Sequence, residues 1–255
     1  MTHAPIDYPQ VPPAPPRRRP LGLLDVLFSS LTAVALVFVT GALVLFTVVD
    51  LETFALTGGF SAADFGWLAA AQGVALLGGA AVVLLPAGRN LGTLGLKATT
   101  LRWLLIAVAA GVALRAVSVG ALLLLEGSGV TFDNPQEDVF APAIDAGASG
   151  LLAFGAAAVV IAPITEELLL RGVWYAGLRR RFGITVSAAV SSVVFGALHL
   201  LGVSGDPTSS FVLFASTSLL GAAFALMYER SGSLWPPIVG HAGFNATAVA
   251  LLPLA

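Results

Sequence analysis

Long uncharged stretches follow one another along the chain. Each of these stretches is long enough to cross a bilayer, because about 20 apolar residues suffice for a membrane-spanning helix. The pattern therefore predicts an all-α, polytopic transmembrane helical bundle of about seven spans. A seventh stretch, 103–125, contains one charge, Arg115, whereas no Asp, Glu, Lys or Arg occurs in 26–49, 65–88, 146–165, 182–205, 207–228 and 231–255.

Composition narrows the class of protein further. Hydrophobic residues make up 57% of the chain and charged residues only 10%, against roughly 25% charged residues in an ordinary soluble domain. This excludes a water-soluble globule. The formal net charge of -2 provides no broad basic surface for nucleic acid. Because the sequence contains no cysteine, it excludes a disulfide framework, a thiolate nucleophile and a cysteine-ligated zinc site.

The first 20 residues differ from the rest of the chain. They contain seven of the 15 prolines and end in three consecutive arginines followed by Pro20. Such a segment cannot pack as a regular element, so we expect residues 1–20 to form a disordered cytoplasmic tail and residues 21–255 to form the transmembrane bundle. The apolar run that follows is too long for the central region of a signal peptide. The first helix should therefore remain as a span.

Basic loop residues all fall on one side of a seven-span arrangement. Short cytoplasmic loops are enriched in Lys and Arg, which predicts an N-terminus inside and a C-terminus outside. We expect an integral membrane protein of a bacterial plasma membrane. The basic side holds Arg17, Arg18, Arg19, Arg89, Lys97, Arg102, Arg179, Arg180, Arg181 and Arg230, and the loops of the other side are acidic, without a basic residue.

The fourth uncharged stretch continues into charged residues without a clear stop. No Gly/Pro cluster strong enough to end a helix occurs in 146–181, which predicts one long fourth helix. Pro163 removes one backbone hydrogen bond just before the charged residues Glu166, Glu167 and Arg171. We expect a kink there, since such breaks are tolerated within a bundle next to polar cavities.

Few ionisable or amide side chains lie within the predicted spans. Each ionised group costs roughly 2.5 to 3.5 kcal/mol to insert, which makes these residues the functional candidates. Residues four apart share a helix face, so Glu167 is expected to pair with Arg171, while Glu166 projects about 100° away. The set consists of Glu166, Glu167 and Arg171 on span four, Arg115 on span three, His199 on span five, and His241 with Asn245 on span seven.

Depth along the helices indicates which candidates can meet. Counted from Arg181, Glu166 lies about 22 Å and His199 about 27 Å into the membrane, at 1.5 Å per residue. These two side chains are therefore at similar depth. His241 follows the turn at 235–237 by only a few residues, which leaves open whether it reaches the others. For Arg115 we expect a structural role as the partner of a carbonyl or carboxylate.

Three short motifs occur in order on separate predicted spans. Residues 166–171 read EELLLR, 195–199 read FGALH and 241–245 read HAGFN, which match EExxxR, FxxxH and HxxxN. This region resembles the CPBP family of intramembrane proteases, which includes the eukaryotic endopeptidase that trims CAAX proteins after prenylation. The resemblance implies a catalytic region at 145–250 and a membrane endopeptidase, with a peptide or protein substrate within the membrane.

The chemistry available to these side chains agrees with peptide hydrolysis. A carboxylate and an imidazole can share a water and take its proton, and Glu166 and His199 are the candidates for this step. His241 and Asn245 are the candidates for donating hydrogen bonds to the oxyanion of the tetrahedral intermediate. Glu167 and Arg171 are expected to support the fourth helix.

A metal cofactor is an open alternative. The family is often labelled a metalloprotease family, and Glu166, His199 and His241 match the ligand count of a catalytic zinc site. However, the HExxH spacing of many zinc proteases is absent. A site with Zn²⁺ and a metal-free site are both compatible with the sequence, and they assign Glu166 different roles, as a ligand or as the base.

Two non-enzymatic functions compete with the protease. A small-solute transporter is expected to have two halves with matching broken helices, whereas the polar residues lie mainly in the C-terminal half, which favours the enzyme. A membrane immunity protein that binds a peptide is also compatible with the resemblance. Peptide maturation, bacteriocin processing and self-immunity are equal alternatives for the biological role.

Overall fold

The computed structural model describes residues 20–49, 61–86, 88–133, 144–201 and 205–251, together with residues 52 and 141. The predicted all-α membrane bundle is confirmed, whereas the predicted tail lies outside the described residues except for Pro20. Four described helices, Leu23–Thr47, Leu101–Gly127, Gly147–Leu198 and Pro207–Ser231, are long and apolar enough to cross a membrane. The helices are α1 (Leu23–Thr47), α2 (Ala62–Val82), α3 (Leu101–Gly127), α4 (Gly147–Leu198), α5 (Pro207–Ser231) and α6 (Trp235–Leu251), with a short 3₁₀ helix at Leu91–Leu94.

Helix α4 contains the predicted fourth and fifth spans and reverses direction at Gly183. This glycine has φ 77°, a left-handed conformation that residues with a Cβ rarely adopt. Arg171 and Phe195 lie 12 residues before and after it, yet Arg171 Cζ is 4.7 Å from the centre of the Phe195 ring. The chain therefore folds back into a first arm (147–182) and a second arm (184–198). When the short 3₁₀ helix is left aside and the two arms are counted separately, the described residues contain seven helices, at the places predicted for the seven spans.

The first arm of α4 is not a regular α-helix. It contains two π-helical segments, Ala157–Ile161 and Leu168–Tyr175. Pro163 follows the first segment and is buried; it has no N–H to donate to the carbonyl four residues earlier, so the hydrogen-bond ladder is disturbed there. π-Helical turns occur frequently at functional sites, and in this chain they flank Glu166 and Glu167.

Helices α1 and α2 approach each other closely through small residues. The Ser29 hydroxyl donates a 2.6 Å hydrogen bond to the Gly79 carbonyl, and a Cβ on Gly79 would lie only 2.7 Å from Ala33 Cβ. The ends of the two helices are joined by a partly buried ion pair, in which Arg89 contacts the Asp25 carboxylate at 2.6 and 2.9 Å. Small residues and buried polar contacts are typical of helix pairs in membranes.

Backbone contacts bring the predicted basic loops to one end of the bundle. The Ser233 hydroxyl donates to the Lys97 carbonyl at 2.7 Å, and the Arg180 guanidinium donates to the Leu21 carbonyl at 3.4 Å. We call this the basic end; it comprises segments 20–25, 89–102, 179–181 and 229–235. Among the described residues, the Asp133 N–H donates to the Ser209 hydroxyl at 3.0 Å and thereby joins two segments that lie on the predicted opposite side.

The outward surfaces of the helices are apolar. Phe46, Leu124 and Leu152 are 80%, 77% and 75% exposed, respectively, and similar side chains recur along α1, α3, α4 and α5. A contiguous apolar exterior of this extent is unfavourable in water but is covered by acyl chains in a bilayer. The protein is therefore an integral membrane protein.

The orientation of the bundle can be tested with single cysteines. Asp133→Cys and Ala98→Cys would each introduce the sole thiol of the chain at an exposed position. Because basic loops favour the cytoplasm, Asp133→Cys should react with a membrane-impermeant thiol reagent in intact cells, and Ala98→Cys should react only after lysis. The reverse pattern would contradict the predicted N-terminus-inside orientation.

Candidate active site

A buried ion pair lies at the centre of the bundle on the first arm of α4. Arg171 Nη1 contacts Glu167 Oε1 at 2.9 Å, and both side chains are fully buried. Arg171 Nη2 also donates to the Gly221 carbonyl of α5 at 2.8 Å, and its guanidinium faces the Phe195 and Phe224 rings at 4.7 and 5.7 Å. The pair expected from the four-residue spacing is present, and it connects both arms of α4 with α5.

The His241 ring on α6 is held against this pair. Its Nδ1 lies 3.2 Å from Glu167 Oε1 and its Nε2 lies 4.0 Å from Glu166 Oε2. Phe224 stacks on the ring at 5.0 Å and Phe195 contacts it edge-on at 5.6 Å. Because an ionised carboxylate only accepts hydrogen bonds, Nδ1 carries a proton, and Nε2 faces Glu166.

The turn before α6 explains how His241 reaches this depth. The Leu234 N–H donates to the Gly95 carbonyl at 2.9 Å, and Leu234 itself is fully buried. A Cβ on Gly172 would lie 3.1 Å from Leu234 Cδ1, so the turn lies beside the second π segment of α4. The turn therefore lies inside the bundle, in contact with residues 94 and 95 and with α4. This position places His241 at the same depth as Glu166 and Glu167.

Glu166 differs from its neighbour Glu167 in its contacts. Its side chain is 14% exposed, whereas Glu167 is fully buried and its Oε1 is held by Arg171 and His241. Among the described residues, Oε2 of each glutamate is buried without a hydrogen-bond partner. Buried carboxylate oxygens in native proteins are normally hydrogen-bonded, and exceptions often mark reactive groups or bound water. Glu166 is thus the carboxylate of this cluster that is available to a water or a substrate.

His199 lies directly after the second arm of α4. The uncharged stretch that predicts span five runs to residue 205, but the helix ends at Leu198, and His199 is its C-cap. Its Nδ1 lies 2.8 Å from the Phe195 carbonyl, while its own N–H bonds the Gly196 carbonyl instead. Since a carbonyl only accepts, Nδ1 carries the proton and Nε2 remains available.

The structure brings some of the predicted site residues together and leaves others apart. Glu166, Glu167, Arg171 and His241 form one contact cluster. His199 forms no hydrogen bond or ion pair with Glu166 among the described residues; it reaches the cluster through the Phe195 ring, at 4.5 Å between ring centres. Phe195 therefore contacts both histidine rings.

Asn245, one turn beyond His241 on α6, contacts the first π segment of α4. Its Nδ2 donates a 2.7 Å hydrogen bond to the Ala158 carbonyl. The amide carries a second hydrogen on the same nitrogen, so one donor is not used by this bond. Asn245 thereby joins α6 to the irregular part of α4 that precedes Glu166.

Arg115 on α3 has the structural contacts that we expected for it. Its guanidinium lies 3.7 Å from the centre of the Phe244 ring, and its Nε donates to the Phe244 carbonyl at 3.3 Å. Phe244 directly precedes Asn245. Arg115 therefore positions the part of α6 that carries the site and contacts no carboxylate of the cluster.

The three side chains named as possible zinc ligands are not grouped in the described structure. Within the described residues, no three His, Asp or Glu side chains are grouped as a possible metal site. Glu166 and His241 are close, but His199 does not join them. A catalytic zinc site requires three protein ligands that converge on one point, and Glu166, His199 and His241 do not do so here.

Two residues of the site were not found by sequence reasoning. Gly221 accepts the Arg171 hydrogen bond, and a Cβ at this position would lie 3.1 Å from Arg171 Nη2. Phe224, three residues later on the same face of α5, stacks on His241. Neither residue has an ionisable or amide side chain, the groups from which the site was predicted, and the uncharged stretch 207–228 contains no Asp, Glu, Lys, Arg, His, Asn or Gln.

Comparison with known proteins agrees with the motifs. Residues 148–247 match the family described as "Type II CAAX prenyl endopeptidase Rce1-like". The chain is also 27% identical over 90 residues to "Putative membrane peptidase YdiL" of Bacillus subtilis (strain 168); the aligned part covers 35% of this chain and spans about a third (33%) of the length of that relative. No solved structure matches the chain significantly. The resemblance to the CPBP family is confirmed for residues 148–247, the C-terminal region of this integral membrane protein.

Removing one member of the buried ion pair should destabilise the folded protein. Glu167→Ala and Arg171→Ala each leave an uncompensated charge at depth, so we expect each to lower the free energy of unfolding by about 3–5 kcal/mol. Thermal unfolding of the purified protein in detergent measures this effect. Glu166→Gln is the matched control, because Glu166 forms no ion pair with an arginine among the described residues. A normal melting temperature for both alanine variants would contradict the structural role of the pair.

Proposed function

We propose that this chain is an intramembrane endopeptidase that hydrolyses a peptide bond of a membrane-associated protein or peptide. The observation that carries the proposal is that Glu166, the partly exposed carboxylate of the cluster, lies 4.0 Å from His241 Nε2 and has no hydrogen-bond partner for its Oε2 among the described residues. A carboxylate available to water beside a positioned imidazole is the combination that general acid–base hydrolysis requires. The Rce1-like family match and the peptidase-like relative support the same reaction.

Glu166 acts as the general base in the proposed reaction. Its carboxylate takes a proton from a water molecule while the water oxygen attacks the carbonyl carbon of the scissile peptide bond. His199 is the second partner of this water, because its Nδ1 is committed to the Phe195 carbonyl and its Nε2 can accept a hydrogen bond. Substrate entry is expected to bring His199 and Glu166 onto the same water.

His241 and Asn245 stabilise the oxyanion of the tetrahedral intermediate. His241 with both ring nitrogens protonated donates from Nε2, and the Glu167 carboxylate next to Nδ1 compensates the positive charge. Asn245 offers the amide hydrogen that is not bonded to Ala158. Protonated Glu166 then gives its proton to the amide nitrogen as the C–N bond breaks, which releases an amine and a carboxylic acid.

The proposed mechanism uses no metal. The alternative with Zn²⁺ held by Glu166, His199 and His241 predicts that chelation abolishes activity and that His241→Ala loses the metal together with turnover. In our proposal, purified active protein retains its turnover in excess EDTA, and metal analysis of the preparation finds less than one zinc per chain. Loss of activity on chelation, restored by zinc, would overturn the metal-free mechanism.

Replacement of the base tests the catalytic function. Glu166→Gln keeps the size and hydrogen bonding of the side chain but cannot accept the proton, so peptide cleavage should fall by at least about 100-fold. The measurement compares new peptide N-termini in membranes of cells that produce the wild-type protein, the variant or neither. Glu126→Gln, at an exposed position near the end of α3, is the matched control and should cleave normally.

The outcome also separates the enzyme from a non-enzymatic protein. If Glu166→Gln retains the full biological activity of the chain, the function is binding, as in an immunity protein, and the protease proposal is wrong. Peptides that depend on the wild-type chain but disappear in the variant identify the substrate. For the cellular site of this activity, we propose the bacterial plasma membrane with the N-terminus in the cytoplasm.

Asn245 tests the oxyanion assignment. Asn245→Ala should lower kcat by about 100- to 1000-fold with little change in KM, as loss of one oxyanion donor does in other hydrolases. Thr247→Val is the matched control on the same helix, because in the described part of the chain the Thr247 hydroxyl bonds the Gly243 carbonyl of its own helix and no other group. Rapid turnover by purified Asn245→Ala would eliminate this role.

A further inference from the structure

A cavity of about 310 Å³ lies at the basic end of the bundle, away from the candidate active site. It opens between the start of α1, the 3₁₀ helix and the end of the first arm of α4. Arg180 in its wall follows Glu166 by 14 residues, which corresponds to about 20 Å along a helix. The cavity is therefore a separate feature. It is lined by Pro20, Leu21, Gly92, Thr93, Lys97, Ala176 and Arg180.

Two basic side chains of this cavity lack acidic partners. In the described part of the chain, neither Lys97 nor Arg180 forms an ion pair. The neighbouring basic residues differ, since Arg89 pairs with Asp25 and Arg179 with Glu229. The lining contains no Asp or Glu, so an anion in the cavity would meet two uncompensated positive charges.

The backbone around the cavity is held in place by contacts from three directions. Arg89 Nη2 donates to the Pro20 carbonyl at 3.3 Å, and Arg180 Nη1 donates to the Leu21 carbonyl at 3.4 Å. The Ser233 hydroxyl donates to the Lys97 carbonyl at 2.7 Å. The cavity is thus a built part of the fold, and its volume falls within the range of small-molecule sites, roughly 300–1,000 Å³.

Apolar side chains near the cavity are exposed on the surface of the bundle. Leu23 and Leu91, which lie within two residues of its lining in sequence, are 46% and 58% exposed. An anion bound between Lys97 and Arg180 would therefore lie at the boundary between an apolar outer surface and the basic end. This combination fits an amphiphile with a phosphate at its head and acyl chains beside the helices.

We propose that the cavity between Lys97 and Arg180 binds the phosphate headgroup of an anionic phospholipid. Basic pockets between membrane helices are suited to such headgroups, because each Lys or Arg near a membrane surface attracts anionic lipid. The bound lipid would join α1, the 3₁₀ helix and α4.

Native mass spectrometry of the purified full-length protein tests this site. The protein is incubated with phosphatidylglycerol, with phosphatidylcholine or with glycerol phosphate, which carries the phosphate without acyl chains. We expect retention of phosphatidylglycerol in preference to the other two. Lys97→Gln combined with Arg180→Gln should weaken this binding by about 30-fold, the effect expected for two basic side chains at a membrane surface.

Two further variants make the result specific. Arg102→Gln combined with Arg230→Gln removes two exposed charges of the basic end outside the cavity and should leave lipid binding unchanged. Lys97→Arg combined with Arg180→Lys keeps both charges and should retain binding, and the melting temperatures of all variants verify folding. Equal losses in the two glutamine pairs, equal retention of phosphatidylcholine, or equally tight binding of glycerol phosphate would each overturn the lipid site.

Discussion

The buried contact between Arg171 and Glu167 is the constraint on which the centre of the bundle depends. Arg171 connects the first arm of α4 to the α5 backbone at Gly221 and to the aromatic rings Phe195 and Phe224. Glu167 in turn holds His241 of α6. A charge in hydrocarbon is costly unless an opposite charge or backbone carbonyls compensate it, so the pair restricts how these helices can be arranged around it.

Close helix approach is the second requirement of this arrangement. Gly111 of α3 faces the Gly240 carbonyl so closely that any Cβ there would collide with the α6 backbone. Gly221 gives Arg171 access to the α5 backbone in the same way. Without a hydrophobic driving force between helices in lipid, such small-residue contacts and interhelical hydrogen bonds provide the association. Close packing of the helices thus fixes the positions of Arg171 and of the few other polar side chains within the bundle.

Sequence patterns predicted the helices and most of the central cluster, because both depend on local spacing. The uncharged stretches predict the helical segments, and the four-residue spacing predicts the Glu167–Arg171 contact. Long-range geometry was beyond such reasoning. The inward turn before α6, which brings His241 to Glu166 and Glu167, depends on Leu234 bonding the distant Gly95. For the same reason the sequence did not reveal that Asn245 contacts Ala158.

The sharp turn at Gly183 has a consequence for biogenesis. Its two arms form a helical hairpin whose partners emerge consecutively from the ribosome, so they can enter the bilayer as one unit. Because Glu167 and Arg171 lie one turn apart on the same arm, their charges can neutralise each other before α5 and α6 are synthesised. Phe195 on the returning arm then covers the guanidinium. The segment with the highest free-energy cost of membrane insertion is therefore stabilised in lipid by residues of the same hairpin.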